Sequence, residues 1–169
     1  LPAHPESFQI EKGGKRIFVN IPSARQVAVM DREKAEVISS WPIDSAEANY
    51  PMALDEARGR LLIGCRKPAK LVVLDTRTGK EVASVSCSGD TDDLFIDAAT
   101  KHVLVICGEG TVDIFETADP GGIRRSAKIP TAPGARTGLF VPEWGRLFLA
   151  VPHRGAQGAE IRNYRRVEK

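Results

Sequence analysis

This sequence of 169 residues contains few cysteines, no long apolar run and nearly equal numbers of basic and acidic residues. Its three cysteines, Cys65, Cys87 and Cys107, are odd in number and lack the spacing of a zinc finger, so we interpret them as small buried side chains and not as a disulfide framework. No apolar run approaches the roughly 18 residues that a membrane-spanning helix needs. A net charge of +2 gives no indication of a nucleic-acid partner.

Short catalytic and metal-binding motifs are also missing. The sequence contains no nucleophile elbow, phosphate-binding loop, zinc spacing or paired-carboxylate motif. Glu6, Asp92, Asp93 and Glu109 carry oxygen ligands, but Ca²⁺ requires six to eight such oxygens in a compact loop, and no such loop occurs. We therefore predict no metal and no cofactor.

An internal repeat decides the fold class. Four segments each place a basic residue before an apolar, β-prone run, at residues 15–19, 59–63, 101–105 and 145–149. Their equivalent residues Ile17, Leu61, Val103 and Leu147 lie 44, 42 and 44 residues apart. A second apolar run follows each first one, at residues 27–31, 71–75, 112–116 and 161–165, and three of these four end in an acid. Residues 76–79 then supply turn chemistry before an alternating segment at 80–85, which predicts a hairpin.

A period of this length that holds four short strands is the size of one propeller blade, whereas helical repeats need apolar residues three and four apart. We predict an all-β protein, a β-propeller of about four four-stranded antiparallel blades at residues 7–45, 51–88, 93–131 and 137–165, within one partial domain spanning 1–169. The inner-strand residues Leu54, Phe95 and Phe140 should be mostly buried.

The fourth blade is predicted to be incomplete, because the chain stops before its outermost strand. The segment before Phe8 is too short and too rich in proline to supply that strand. We therefore expect the chain to belong to a seven- or eight-bladed ring, in which the remaining blades come from an upstream chain or from a second copy.

Residues 73–82, which read Val-Leu-Asp-Thr-Arg-Thr-Gly-Lys-Glu-Val, resemble the hairpin of the bacterial YVTN-type propeller-repeat proteins. The resemblance extends over nearly the whole chain at the level of the repeat. It implies the C-terminal half of a propeller of about seven blades, and a periplasmic or secreted location, although the sequence starts at Leu1 without a leader. Two features depart from the family: Asn163 stands where an apolar residue is expected, and the third hairpin, residues 119–122, lacks the Thr-Gly-Lys chemistry.

The candidate site lies on one face of the predicted propeller. The loops that join successive blades, at residues 4–7, 49–51, 89–93 and 134–137, share that face with the loops between second and third strands, at 20–25, 65–68, 107–110 and 152–158. We call this surface the loop face, and we predict a site there because rigid scaffolds concentrate binding residues in loops. The predicted ligand-binding residues are His4, Glu6, Asn49, Tyr50, Arg66, Lys67, Asp92, Asp93, Arg136, His153 and Arg154.

Several interpretations of these residues remain open. Arg66, Lys67, Arg136 and Arg154 suit an anionic ligand, but acids on the same face could pair with them instead. His4 and His153 belong to the first and last blades, too far apart for a shared metal or catalytic pair. His102 takes the repeat position of Arg16, Arg60 and Arg146, which indicates a structural role. A cysteine nucleophile would need a lowered thiol pKa, for which Cys65 has only Arg66 beside it.

Three functions are consistent with this pattern. The leading hypothesis is a non-catalytic binding or scaffold module of an exported bacterial protein, with an unidentified protein or small anionic ligand on the loop face. The alternative is a propeller enzyme, lactonase-like or like a cofactor-dependent dehydrogenase, with its site at the channel mouth. A nucleic-acid binder is the third, and it would show affinity that falls steeply with salt.

Overall fold

The computed structural model describes residues 1–118 and 122–166, and these form four antiparallel sheets in which strands follow one another in chain order. The first sheet contains β1 (Phe8–Ile10), β2 (Arg16–Ile21), β3 (Gln26–Asp31) and β4 (Glu36–Pro42). The second contains β5 (Glu47–Asp55), β6 (Arg60–Lys67), β7 (Ala69–Asp75) and β8 (Glu81–Ser86). The third contains β9 (Thr91–Asp97), β10 (His102–Cys107), β11 (Thr111–Ala118) and β12 (Gly122–Pro130). The fourth contains β13 (Thr137–Val141), β14 (Arg146–Val151) and β15 (Glu160–Arg165).

Helical structure in the described part of the chain is confined to two single 3₁₀ turns, Pro22–Ala24 and Pro142–Trp144. No helix within residues 1–118 and 122–166 is long and apolar enough to cross a membrane. The predicted all-β class, with the fourth sheet one strand short in the described residues, is confirmed.

The four sheets repeat the same strand register. The innermost and second strands pair at equivalent residues, which are Ile10 with Ile17, Leu54 with Leu61, Ile96 with Val103, and Phe140 with Leu147. The apolar repeat found in the sequence is thus a repeat of backbone pairing.

Apolar packing between neighbouring sheets forms the core. Phe18 and Val27 of the first sheet pack in one buried cluster with Leu61 and Ile63 of the second. The second sheet presents its other face, through residues such as Leu62, to the third sheet, and the third does the same to the fourth. Because side chains alternate across a strand, each sheet buries one set of residues against the preceding sheet and the other against the next.

Two residues of the hairpin between β7 and β8, Asp75 and Gly79, have defined structural roles. Asp75 Oδ1 accepts hydrogen bonds from the backbone N–H groups of Arg77 and Thr78, at 3.0 and 2.9 Å. Gly79 then has φ of +71°, and a Cβ built there would lie 2.4 Å from the ring of Trp41 in the first sheet. Glycine is therefore required twice, for its left-handed backbone and for the contact with the neighbouring sheet.

Each described outer strand in the first three sheets contains a β-bulge at the same repeat position. The pairing register skips Ile38 in β4, Val82 in β8 and Ser126 in β12. Bulges interrupt the regular ladder on an exposed edge, which makes that edge a poorer template for another chain.

The inner-strand residues are mostly but not completely enclosed. Leu54, Phe95 and Phe140 each have an intermediate exposure, which agrees with the expectation that they are mostly buried. Each packs against an inter-sheet cluster on one side only, as in the Phe95–Phe140 ring contact at 6.5 Å between centroids. An innermost strand has no further strand on its axial side, which leaves part of these side chains uncovered.

Two sheet faces have no described neighbour. On the first sheet, Phe8 and Ile10 are exposed, although their repeat equivalents Met52 and Leu54 pack against the preceding sheet. On the fourth sheet, Leu139 and Ile161 are exposed in the same way, with 59 % and 67 % of their surface accessible. Both faces are therefore apolar and lack a neighbouring sheet among the described residues, although Val19, Ile21 and Ala28 of the first sheet are buried, with Ala3 packed against them.

The two sequence departures have different outcomes. Asn163 is exposed on the uncovered face of the fourth sheet and its Oδ1 accepts a hydrogen bond from Arg146 Nη1 at 3.3 Å, so its polarity costs no burial. Of the third hairpin, residues 119–121 lie outside the described residues.

Truncation of Phe115, which is fully buried between the second and third sheets, should cost more stability than truncation of Phe95. We expect Phe115→Ala to lower the free energy of unfolding by about 3–5 kcal/mol, and Phe95→Ala by clearly less, since part of that ring already contacts solvent. Val82→Ala, at an exposed bulge, is the control and should stay within about 0.5 kcal/mol of wild type. Denaturant unfolding measures all three, and equal losses for the two phenylalanines would contradict the packing described.

Candidate functional site

An open cleft on the loop face lies between the first and second sheets, and we call it the Tyr50 cleft. Its volume is about 490 Å³. It is lined by His4, Glu6, Pro22, Ser23, Arg25, Glu47, Ala48, Tyr50 and Lys67. The cleft thus brings together His4, Glu6, Tyr50 and Lys67 from the predicted site.

Charged groups of both signs surround this cleft. Arg25 Nη1 donates to Glu47 Oε1 at 2.9 Å, and His4 Nδ1 lies 3.7 Å from Glu6 Oε1. Lys67 lies across from Glu47 in the β5–β6 pairing, is exposed, and makes no ion pair with any residue in the described ranges. Exposed ion pairs of this kind contribute only about 0–1 kcal/mol, so a ligand can replace them at little cost.

Two residues of the cleft have a left-handed backbone that is unusual outside glycine. Arg25 has φ of +49° and Ala48 has φ of +56°. Arg25 is held there by its own N–H, which donates to Pro22 O, and by Ile43 N–H, which donates to Arg25 O at 2.8 Å. Such conformations cost about 1 kcal/mol or more each and concentrate at functional sites, where the surrounding structure enforces them.

The ring of Tyr50 is fixed from behind by Arg66. The Arg66 guanidinium carbon lies 4.1 Å from the ring centroid, within the range of a cation–π contact. Arg66 Nε donates to Thr91 O at 2.9 Å, and Arg66 Nη2 donates to Asp92 Oδ1. The aromatic wall of the cleft is consequently tied to the third sheet.

Arg66 also belongs to a charge cluster that joins the second sheet, the third sheet and the loop before the fourth, which we call the arginine–aspartate network (Arg66, Asp90, Asp92 and Arg136). Arg136 Nη1 lies 3.0 Å from both carboxylate oxygens of Asp90, and Arg66 Nη1 lies 3.4 Å from Asp90 Oδ1. Arg136 Nε lies 3.4 Å from Asp92 Oδ2. Hydrogen bonding to Asp90 raises the pKa of Arg136. Two of the four cations proposed for an anion site are thus neutralised within the protein.

Several predicted site residues lie in strands and not in loops. Asn49 and Tyr50 are in β5, Arg66 and Lys67 end β6, and residues 92 and 93 are in β9. The second sheet starts at Glu47 because β5 pairs with β6 across a register shift between Asn49 and Met52, which extends the strand beyond the apolar run visible in the sequence.

Asn49 is not among the residues that line the Tyr50 cleft. It is fully buried, and its Nδ2 donates to Asn20 Oδ1 at 2.9 Å and to Gln26 O at 3.1 Å. Asn20 Nδ2 in turn donates to Tyr50 O at 2.9 Å. In this structure the amide of Asn49 therefore joins the first two sheets.

His153 and Arg154 lie in the loop between β14 and β15, at the far end of the arc from the Tyr50 cleft. Both are exposed, and Arg154 forms a backbone bridge with Gln157. The structure does not bring them to the other predicted residues of the cleft. Conversely, Arg25, Glu47 and Asp90 were not among the predicted residues. The glycine-flanked acidic loop at 89–93 was the only sequence signal for Asp90.

The cysteines and His102 occupy packing positions. All three cysteines are free and buried, as predicted. Burial raises the pKa of the Cys65 thiol to about 12, and a contact with Cys87 together with burial raises the pKa of Cys107, so neither is an activated thiolate at neutral pH. His102 Nε2 lies 3.7 Å from Glu116 Oε1, in the position where Arg60 donates to Asp75 Oδ2 at 2.7 Å.

Other cavities open at the opposite end of the sheets. One of about 370 Å³ lies between the second and third sheets beside Arg60 and Ile123, and one of about 270 Å³ lies between the third and fourth sheets beside Leu104 and Tyr164. Both follow the gap between neighbouring sheets. Among the described residues, no three His, Cys, Asp or Glu side chains are grouped so that they could hold a metal ion.

Comparison with solved structures defines the class of protein. The chain superposes on Kuenenia stuttgartiensis hydrazine synthase with a TM-score of 0.82 and 15 % identity, over 94 % of this chain and 45 % of that one. A chain of the mitotic checkpoint complex gives 0.74 and 14 %, over 86 % and 45 %. A Bacteroides uniformis protein provisionally described as a 6-phosphogluconolactonase gives 0.77 and 13 %, over 95 % and 53 %. These neighbours are β-propellers, so the four sheets are propeller blades and the predicted fold is confirmed.

This chain spans about half the length of the solved chains it matches. No protein-family model and no curated protein sequence matches it. At 12–15 % identity the structural likeness establishes the fold alone.

The pH dependence of stability tests the environment of Asp93, a predicted site residue that contacts Gly138 of the fourth sheet. Its carboxylate accepts a hydrogen bond from Gly138 N–H at 2.7 Å, but burial raises its pKa above 3.8 and the charge of Asp92 adds to the rise. The folded protein thus holds this proton more tightly than the unfolded chain. The contribution of Asp93 to stability is greatest below pH 3.8 and is lost as the pH rises through the raised pKa.

We therefore expect Asp93→Asn, whose amide oxygen can still accept from Gly138, to gain stability relative to wild type as the pH increases from about 3 to 7. Urea unfolding across that range measures the difference, with the exposed Asp44→Asn as control. A difference that moves the opposite way would show that the Asp93 carboxylate is favoured by folding.

Proposed function

We propose that this protein is a non-catalytic binding module that holds its ligand or partner in the Tyr50 cleft on the loop face. The observation that carries the proposal is the cleft itself, in which a fixed aromatic ring and exchangeable polar side chains surround an open volume of about 490 Å³. That volume lies within the range of small-molecule sites, which is about 300–1,000 Å³.

The internal pairing in the arginine–aspartate network argues against a strongly anionic ligand. Arg66 and Arg136 already contact Asp90 and Asp92, and displacing those contacts would leave carboxylates without partners. Lys67 remains as the cation available at the cleft, opposed by Glu6 and Glu47.

We also propose that the protein is of the YVTN repeat type and is exported by a bacterium. The support is the hairpin at residues 73–82, whose Asp75 and Gly79 have defined structural roles. Fractionation of cells that express the full gene would test the periplasmic or secreted location.

The apolar outward faces of the first and fourth sheets need further blades to cover them. At the junction of the first and second sheets, the residues at the repeat positions of Phe8 and Ile161, which are Met52 and Val27, are buried. We propose that blades of the same longer polypeptide cover them, with a second copy of this chain as the alternative.

Light scattering on the 169-residue chain distinguishes the two sources of these blades. If they come from the same polypeptide, the isolated chain should self-associate without a fixed size, because exposed apolar faces and strand edges promote aggregation. A discrete dimer would favour the two-copy ring. A well-behaved monomer that unfolds cooperatively would contradict the requirement for further blades.

An enzyme of the lactonase type is the second candidate. The observation in its favour is that His4, a residue type that can act as a general base, lines the cleft, although its Nδ1 lies 3.7 Å from Glu6 Oε1, too far for a hydrogen bond. Proteins provisionally described as lactonases are among the fold neighbours. This candidate predicts turnover of a lactone that is lost in His4→Ala.

Backbone-amide NMR tests the binding proposal directly. We expect at least one probe from a panel of neutral sugars, short acidic peptides and short basic peptides to shift the amides of residues 22–25 and 47–50 in a saturable way, and those of residues 55–60 at the opposite end to stay unchanged. Lys67→Ala should alter this response, whereas Lys128→Ala on β12 should not.

The absence of any saturable response at the loop face would contradict the binding proposal. Measured turnover of a lactone by wild type, lost in His4→Ala, would replace it with the enzyme.

A further inference from the structure

The polar groups of the Tyr50 cleft are balanced between donors and acceptors. Glu6 and Glu47 offer carboxylate oxygens that only accept, while Arg25 and Lys67 offer only donors. The hydroxyl of Ser23 can do both. With His4 neutral, the formal charges of these side chains cancel. A ligand that matches this lining must itself donate and accept hydrogen bonds within a short distance and carry no net charge.

The Tyr50 ring limits the class of ligand further. One face of the Tyr50 ring is occupied by the Arg66 guanidinium, and Arg66 is not among the residues that line the cleft. A cation on one face reduces the attraction of the ring for a second cation on the other. The free part of the ring therefore suits a neutral C–H surface better than an ammonium group.

We propose that the Tyr50 cleft binds a neutral carbohydrate of one or two sugar units. This inference rests on the proposed binding function and names its ligand class. Sugar hydroxyls donate to carboxylates such as Glu6 and accept from groups such as Lys67, and the C–H face of a pyranose ring packs on a flat aromatic surface. Because Arg25 and Glu47 already form an exposed pair, sugar hydroxyls can insert between them at a small cost in free energy.

Charged ligands fit the same cleft less well. An anion would meet Glu6 and Glu47 at the wall, while the Arg66 charge is already neutralised by Asp92. A cation would meet Lys67 and the polarised ring. Either ligand would lie beside side chains of its own sign, and like charges at a contact repel each other.

The test uses calorimetric titration of the protein with maltose, cellobiose and N,N′-diacetylchitobiose, beside glucuronate as the charged sugar and trialanine as a peptide. We expect at least one neutral disaccharide to bind saturably, and glucuronate to bind more weakly than it. Tyr50→Ala should weaken that binding by about tenfold or more, and Tyr50→Phe, which keeps the ring, by less than about threefold.

Two further variants separate recognition from folding. Glu47→Ala removes an exposed acceptor whose ion pair contributes little to stability, and it should weaken sugar binding even if Tyr50→Ala fails to fold. Trp144→Ala removes the exposed aromatic side chain of the 3₁₀ turn before β14 and should leave binding unchanged.

Failure to bind any of the three disaccharides would overturn the carbohydrate inference, and so would equal affinity of wild type and Glu47→Ala for a sugar that does bind. If trialanine or a charged peptide shifts the amides of residues 47–50 while no sugar does, the carbohydrate inference fails and the binding module remains. If no probe of any class acts at this face, both fail.

Discussion

Apolar packing between successive sheets is the interaction on which the rest of this structure depends. Each sheet is too thin to bury a core alone, so stability comes from junctions such as the one in which Phe18 of the first sheet meets Leu61 and Ile63 of the second. The same junction sets the distance between loops of neighbouring blades. The Tyr50 cleft exists because two sheets packed in this way leave a gap between their loop ends.

Polar contacts then fix how the sheets are aligned at each junction. The first two sheets share the buried amides of Asn20 and Asn49. Between the second and third sheets, the buried carboxylate of Asp113 accepts a hydrogen bond from Ser88 N–H at 2.8 Å, in the connection that joins the two sheets. Arg125 Nη2 lies 3.0 Å from Asp113 and donates to Ser86 O of the second sheet at 2.8 Å. A buried polar group must keep its partners, so these contacts tolerate little displacement. They fix the positions of neighbouring sheets relative to one another near the loop face.

The arginine–aspartate network has a double role in this arrangement. It extends from Arg66 of the second sheet to Arg136 in the loop before the fourth, and it presses the Arg66 guanidinium onto Tyr50. The cations Arg66 and Arg136, which the sequence offered for an anionic ligand, therefore pair with aspartates inside the protein, and Arg66 also fixes the position of the Tyr50 ring. From composition alone, the loop face would be expected to prefer an anionic ligand. In our proposal, the neutral surface of the Tyr50 ring sets the preference instead.

The sequence by itself determined the repeat, the all-β class and the identity of the loop face. Strand alternation and turn chemistry act over a few residues, so Ile17, Leu61, Val103 and Leu147 could be aligned without coordinates. It also placed His4, Glu6, Tyr50 and Lys67 on one face. Only the tertiary structure decided that these four share a cleft, that Asn49 is buried and that Arg66 is paired with Asp92. The contacts of Asn49 with Asn20 and of Arg66 with Asp92 join residues more than twenty positions apart in different sheets, and their geometry depends on sheet packing that no local pattern encodes.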